Sequence, residues 1–151
     1  PTSKVQDVVH PQSLVHSLIR TYDGVMYGQI SEPDMKHPIV SALSWPKVLP
    51  NFMQKFDLFD HELTFFKPRY EDFPMLNLAF SAAEKNGGYT IAFNAANEVA
   101  VQAFIDKKIG FMDISGITEK VLQKDWAKEP ESFEEVFETD LKARKYSEEI
   151  L

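Results

Sequence analysis

An Asp-Gly dipeptide, Asp23-Gly24, stands between two runs rich in β-branched and apolar residues, Leu14–Tyr22 and Val25–Ile30. No other feature constrains the fold as strongly. Asp-Gly between such runs signals a β-hairpin, because a two-residue type I′ turn needs positive φ at both central positions. A two-residue turn sets the register: Tyr22 opposite Val25, Arg20 opposite Tyr27, Leu18 opposite Gln29 and His16 opposite Ser31. Strand side chains alternate faces, so Leu14, His16, Leu18, Arg20 and Tyr22 are expected to share a face with Val25, Tyr27 and Gln29. The same register predicts that Ser13, His16 and the Pro33-Asp34-Met35 turn meet at the end away from Asp23-Gly24.

Around the hairpin, Val5–His10 reads as a short strand leading into a bend at Pro11. Val5, Val8 and Val9 run into the hairpin with no leading element to cover them, as expected of a segment from a longer chain. Lys36-His37-Pro38 opens a short helix, with Pro38 pre-set for the first helical position. Ile39, Ala42 and Leu43 give it one apolar face, and it stops before Pro46. Between Pro46 and Asp72 no helical period holds, and Pro46, Pro50 and Pro68 punctuate the stretch. It reads as a linker in which Leu63-Thr64-Phe65-Phe66 is an extended segment packed on something.

From Phe73 onward the pattern is helical. One helix covers about Leu76–Lys85, closed by Gly87-Gly88. A second runs from about Ala95 to Lys107, with Asn94 as the candidate N-cap. A third starts at Asp113 behind Ile114, Ile117, Val121 and Leu122. A fourth starts at Ser132, where Ser-Phe-Glu-Glu forms a capping box, with Phe133, Val136, Phe137 and Leu141 as its stripe. The fold class is therefore α+β: a hairpin or sheet segment, a linker and a small four-helix bundle. The divisions fall at residues 1–45, 46–72 and 73–151.

The net charge of −7 argues against nucleic-acid and acidic-membrane surfaces, since both call for clustered Lys and Arg, and no such cluster occurs. The absence of cysteine removes disulfides, thiolate metal sites and cysteine nucleophiles. No apolar run reaches transmembrane length, and PTSKVQDVVH has no signal-peptide core, so a cytoplasmic protein is expected.

His16 is the titratable group of most interest, as an active-site proton carrier or a polar anchor for a ligand; the alternative is a hydrogen-bonded structural histidine. Ser13 can bind an anionic group or simply satisfy a strand end. Pro33 and Met35 can wall a pocket or form a tight turn. Asp57, Asp60, His61 and Glu62 cluster, but their spacing fits no metal motif and they read as solvated linker. Asn94 and Glu98, one helical turn apart, read as capping and hydrogen bonding to a neighbouring segment, with catalysis the lesser alternative. There is no Gly-rich phosphate loop, no nucleophile elbow and no paired catalytic carboxylates.

His10-Pro11-Gln12-Ser13-Leu14-Val15-His16-Ser17, Tyr22-Asp23-Gly24, Pro33-Asp34-Met35, Pro38-Ile39, Leu63-Thr64-Phe65 and Asn94-Ala95-Ala96-Asn97-Glu98-Val99-Ala100 resemble, in order and spacing, the C-terminal portion of the 1-deoxy-D-xylulose 5-phosphate reductoisomerase family. The resemblance implies an NADPH-dependent oxidoreductase of isoprenoid biosynthesis that uses Mg²⁺ or Mn²⁺, works as a homodimer and binds 1-deoxy-D-xylulose 5-phosphate. It places residues up to Trp45 in the end of a catalytic domain, Pro46–Asp72 in a linker and Phe73–Leu151 in a C-terminal helical domain. It implies a catalytic His16 and substrate-binding Ser13, Pro33 and Met35. It implies no cofactor-binding and no metal-binding residue here, because the family's dinucleotide motif, acidic metal ligands and main phosphate-binding groups precede this segment. Ser31 replaces the glycine usual before the Pro-Asp-Met turn. The 151-residue chain alone is expected to be inactive and to bind neither NADPH nor metal. The alternative is a non-enzymatic dimerisation module that keeps the hairpin as a pairing edge.

Overall fold

In the computed structural model, residues 2–50 and 55–151 are described. Residues 51–54, part of the expected linker, lie outside them. The chain is α+β, with helices and one two-stranded antiparallel sheet among the described residues. It divides into two compact units, residues 7–68 and residues 69–151 joined by the first six residues.

In the first unit, β1 (Val15–Arg20) pairs with β2 (Met26–Ile30) as the sequence predicts, but one residue out of the expected register. The pairs are Arg20–Met26, Ile19–Tyr27, Leu18–Gly28 and Ser17–Gln29. The cause lies in the turn. Thr21 N–H donates to the Val25 carbonyl at 2.9 Å, and Gly24 N–H to the Thr21 carbonyl at 3.0 Å, so three residues form the loop rather than two. Gly24 has φ +88°, the left-handed position that closes such a three-residue loop. A one-residue slip moves every β2 side chain to the other face. Leu18 consequently faces Gly28, where a Cβ would lie 3.1 Å from Leu18 Cδ2.

The register shifts again between Val15 and Ser17, where His16 is the extra residue of a β-bulge. Beyond it Val15 pairs with Ile30, and Ser31 N–H donates to the Leu14 carbonyl at 3.0 Å. Leu14 is buried, whereas Ile19, Met26 and Tyr27 are exposed, so both sheet faces carry uncovered apolar area.

Val5–His10 forms no strand. Thr2–Lys4 is a short 3₁₀ turn, and only Val9 pairs, through two 2.9 Å backbone bonds with Phe66. The extended Leu63–Phe66 segment thus packs on the chain just before Pro11. α1 (Lys36–Ser44) begins before Pro38, which is its third residue and not its first, and ends where expected, with Trp45 extended at ψ 135° before Pro46. Its expected apolar face is not buried: Ile39 and Leu43 are exposed.

In the second unit, α2 (Met75–Lys85), α3 (Tyr89–Ile105), α4 (Asp113–Leu122) and α5 (Phe133–Ile150) pack together, with α3 contacting each of the others. α3 starts earlier than the sequence suggests. Asn86 (φ 56°) and Gly87 (φ 60°) reverse the chain within two residues, so the helix resumes at Tyr89. Asn94 is therefore an interior residue, not an N-cap. Gly88 N–H donates to the carbonyls of Trp126 at 2.8 Å and Lys128 at 3.1 Å, which brings two backbones close.

The core is lined by small residues. Ala92, Ala95, Ala96 and Ala100 of α3 are fully buried, against Val121, Leu122, Trp126 and Ala143 or against Ile114 and Ile117. The predicted α4 stripe is the buried one. Of the predicted α5 stripe, Phe133, Phe137 and Leu141 are exposed and Val136 is half-buried, while Ala143 and Ser147 face inward. Ser132 does cap α5, its Oγ accepting Glu135 N–H at 3.2 Å. The box is not reciprocal, because the Glu135 carboxylate instead accepts from Glu131 N–H at 3.0 Å and Lys128 Nζ at 2.7 Å.

Candidate active site

The expected site residues all lie in the first unit. Strand pairing brings the Ser13–His16 and Ser31–Met35 stretches to the same open end of the hairpin. His16 and Ser31 meet as expected, though by a different route. They do not face each other in a continuous ladder; the bulge lets His16 Nε2 come within 2.9 Å of Ser31 Oγ. Ser31 Oγ also lies 3.1 Å from the Glu32 carbonyl, and its one proton can serve only one of these partners. With that proton on the carbonyl, His16 Nε2–H donates to the hydroxyl and Nδ1 keeps its lone pair. An exposed imidazole oriented through one nitrogen, with the other free, is able to take or give a proton at Nδ1.

Ser13 has φ 53°, the left-handed region that costs a residue with a Cβ about 1–2 kcal/mol. Its N–H donates to the His10 carbonyl at 3.1 Å, closing a tight turn before β1. The Ser13 side chain is exposed beside the hairpin end.

Pro33 is exposed in the turn that follows β2, and Met35, at the N-cap of α1, has most of its side chain exposed. Asp34 between them organises the turn. Its carboxylate accepts Lys36 N–H at 2.9 Å and pairs with Lys36 Nζ at 3.3 Å. Chiefly through the backbone bond from Lys36, it is held below the usual aspartate range. The sequence reading missed this role; an Asp two residues before Lys36-His37-Pro38 was the available signal.

A second missed arrangement ties the His10–Ser13 turn to Thr64. His10 Nδ1 donates to the Thr64 carbonyl at 2.8 Å, and Gln12 Nε2 to Thr64 Oγ1 at 2.7 Å. Gln12 Oε1 accepts from the Thr64 backbone N–H at 3.3 Å and hydroxyl at 3.1 Å. The His10 ring stacks on Phe65 with centroids 4.7 Å apart. Since Nδ1 faces a carbonyl it carries the proton, which leaves Nε2 a buried acceptor with no partner among the described residues. Gln12 and Thr64 stand 52 residues apart, and nothing in the local sequence of either indicates that they touch.

Among the described residues no three His, Asp or Glu side chains converge as metal ligands. No described helix is long and apolar enough to cross a membrane.

Residues 30–146 match a family model described as DXP reductoisomerase C-terminal domain. The chain is 49% identical over 145 residues to 1-deoxy-D-xylulose 5-phosphate reductoisomerase from Treponema denticola, covering 95% of this chain and 38% of the relative. Against the protein of that name from Chlorobaculum tepidum it is 43% identical over 152 residues, covering 100% of this chain and 40% of the relative. The chain thus spans about two fifths of the length of the curated relatives it matches. Among solved structures, the Zymomonas mobilis reductoisomerase in complex with NADPH superposes with a TM-score of 0.93 at 41% identity, over 99% of this chain and 40% of that one. A reductoisomerase in complex with NADPH, fosmidomycin and magnesium gives 0.81 at 36% identity, over 94% of this chain and 37% of that one. The hairpin, the Pro-Asp-Met turn and the helices built on buried alanines are those of one family, and this chain belongs to it: DXP reductoisomerase, C-terminal domain.

Proposed function

We propose that this chain is the C-terminal part of an NADPH-dependent reductoisomerase that converts 1-deoxy-D-xylulose 5-phosphate into 2-C-methyl-D-erythritol 4-phosphate in isoprenoid biosynthesis. The observation that carries this is the agreement of fold and sequence with the NADPH-bound Zymomonas mobilis enzyme, at 41% identity over nearly the whole chain. In this reading residues 1–45 end a catalytic domain, 46–72 are a linker and 73–151 form a C-terminal four-helix bundle. The protein is cytoplasmic and works as a homodimer. NADPH supplies a hydride, and Mg²⁺ or Mn²⁺ polarises substrate oxygens, both bound by residues outside this chain.

His16, oriented by Ser31, moves a proton at the open end of the hairpin. Ser13 presents its hydroxyl and backbone to the substrate, and Pro33 and Met35 wall the same side of the pocket. The uncovered apolar faces of β1 and β2 support a sheet completed by further strands or a second copy, since a lone two-stranded hairpin is marginal in water.

The test compares the 151-residue chain with the same chain joined to the preceding residues of the Zymomonas mobilis enzyme. The joined protein is expected to consume NADPH in the presence of substrate and divalent metal, and the chain alone is not. Turnover by the chain alone would overturn the reading. The second reading, a dimerisation module without catalysis, rests on the same exposed strands; it requires a stable dimer in light scattering together with an inactive joined protein.

A further inference from the structure

We propose that Thr64 is a positioning residue for Ser13, holding it in the left-handed conformation in which it meets the substrate; this rests on the functional reading above. Ser13 itself has one backbone bond to maintain φ 53°, its N–H to the His10 carbonyl at 3.1 Å. A conformation this sparsely populated persists only where the surroundings over-determine it. Those surroundings converge on one residue more than fifty positions away. His10 holds the Thr64 carbonyl through Nδ1 at 2.8 Å, and Gln12 brackets the Thr64 hydroxyl and N–H at 2.7–3.3 Å.

These bonds fix residues 10 and 12, two of the three residues that precede Ser13. The Val9–Phe66 bridge and the stacking of His10 on Phe65 immobilise the chain on the N-terminal side of the turn. Thr64 is half-buried and touches none of the proposed substrate-binding side chains through a hydrogen bond, so it acts through the turn and not on the substrate. The hydroxyl is the informative atom. Its removal leaves the carbonyl bond to His10 in place but deprives Gln12 Nε2 of its acceptor in a half-buried setting.

The experiment has two arms. In the 151-residue chain, NMR follows the intraresidue amide–Hα NOE of Ser13, which is strong at positive φ, and the Nδ1–H tautomer of His10. Thr64→Val, and independently Gln12→Met, are expected to weaken that NOE, while Thr64→Ser restores it. In the full-length protein of which this chain is proposed to be a part, Thr64→Val is expected to raise KM for 1-deoxy-D-xylulose 5-phosphate about tenfold, the equivalent of one lost interaction of about 1.4 kcal/mol, with kcat within about twofold and with rescue by Thr64→Ser. An unchanged Ser13 NOE in both Thr64→Val and Gln12→Met overturns the clamp. A weakened NOE with unchanged KM, when Ser13→Ala also leaves KM unchanged, overturns the substrate role of Ser13 and leaves only the clamp geometry standing.

Discussion

Arg144 on α5 joins Glu98 on α3: its Nη2 lies 2.5 Å from Glu98 Oε2, while its Nε lies 2.6 Å from Asp140 one turn earlier. Asn94 Nδ2 adds a bond to the other Glu98 oxygen at 3.2 Å. The expected hydrogen bonding of this pair to a neighbouring segment is thus met through Arg144, while the expected capping is not, because Asn94 lies inside α3. Chiefly through the Arg144 bond, the Glu98 carboxyl is held below its ordinary value of 4.5, and Arg144 is raised, first by its bond to Asp140 and then by that to Glu98. A carboxyl depressed in the folded state stabilises above its unfolded value and loses that contribution as pH falls through the folded one. Arg144→Ala is therefore expected to lower the melting temperature of the helical unit near pH 7. The gap to the parent should close as pH drops below the Glu range, as followed by circular dichroism.

Two glycines with positive φ separate conformational cost from collision. At Gly24 nothing lies within 4 Å of an added Cβ, so Gly24→Ala is expected to cost about 1–2 kcal/mol from backbone conformation alone. At Gly87 the added Cβ would lie 2.7 Å from the Ala127 carbonyl oxygen and 2.9 Å from that of Trp126. Gly87→Ala should cost clearly more, because backbone atoms must shift and the Gly88 bonds to Trp126 and Lys128 shift with them. Urea unfolding monitored by helix content for Gly87, and by hairpin amide exchange for Gly24, measures the contrast.

Ser132→Ala removes the acceptor for Glu135 N–H at the start of α5 and is expected to destabilise the helical unit by about 1 kcal/mol. Ser132→Asp is expected to retain most of that stability, since a carboxylate caps equally well and favours the positive end of the helix. Chemical denaturation of the three proteins distinguishes the cap from general damage.

His16→Ala in the full-length protein is expected to reduce kcat about a hundredfold or more, the usual scale for a general acid–base group. Its melting temperature should stay nearly unchanged, because the side chain is exposed. Ser31→Ala is expected to lose less, since it removes only the group that orients Nε2. An unfolded His16→Ala protein would instead identify a structural histidine.

The α4 stripe was legible because large apolar residues recur there at helical spacing and all face one side. On α5 the same rule misled. The face that packs inward is marked by Ala143 and Ser147, small enough for close approach to the alanines of the core, while the conspicuous Phe133, Phe137 and Leu141 stay outside. The hairpin was legible, but its register was not. Asp-Gly suits both a two-residue turn and the end of a three-residue loop, and one residue of difference exchanges the faces of β2. His16 meets Ser31 nonetheless, although the bulge carries the pairing one residue further from the expected register; the contact is made by the bulged side chain and not by the ladder. The Thr64 contacts could not be read at all, since pairings across such a sequence separation leave no local periodicity.

The Gln12–Thr64 pairing closes a loop of 52 residues. Closure entropy grows only with the logarithm of loop length, so five residues added between α1 and Leu63 would cost about 0.1 kcal/mol. The intervening chain is thus free to lengthen or shorten in evolution, and to take up new surface contacts, while the joint that sets Ser13 stays where it is.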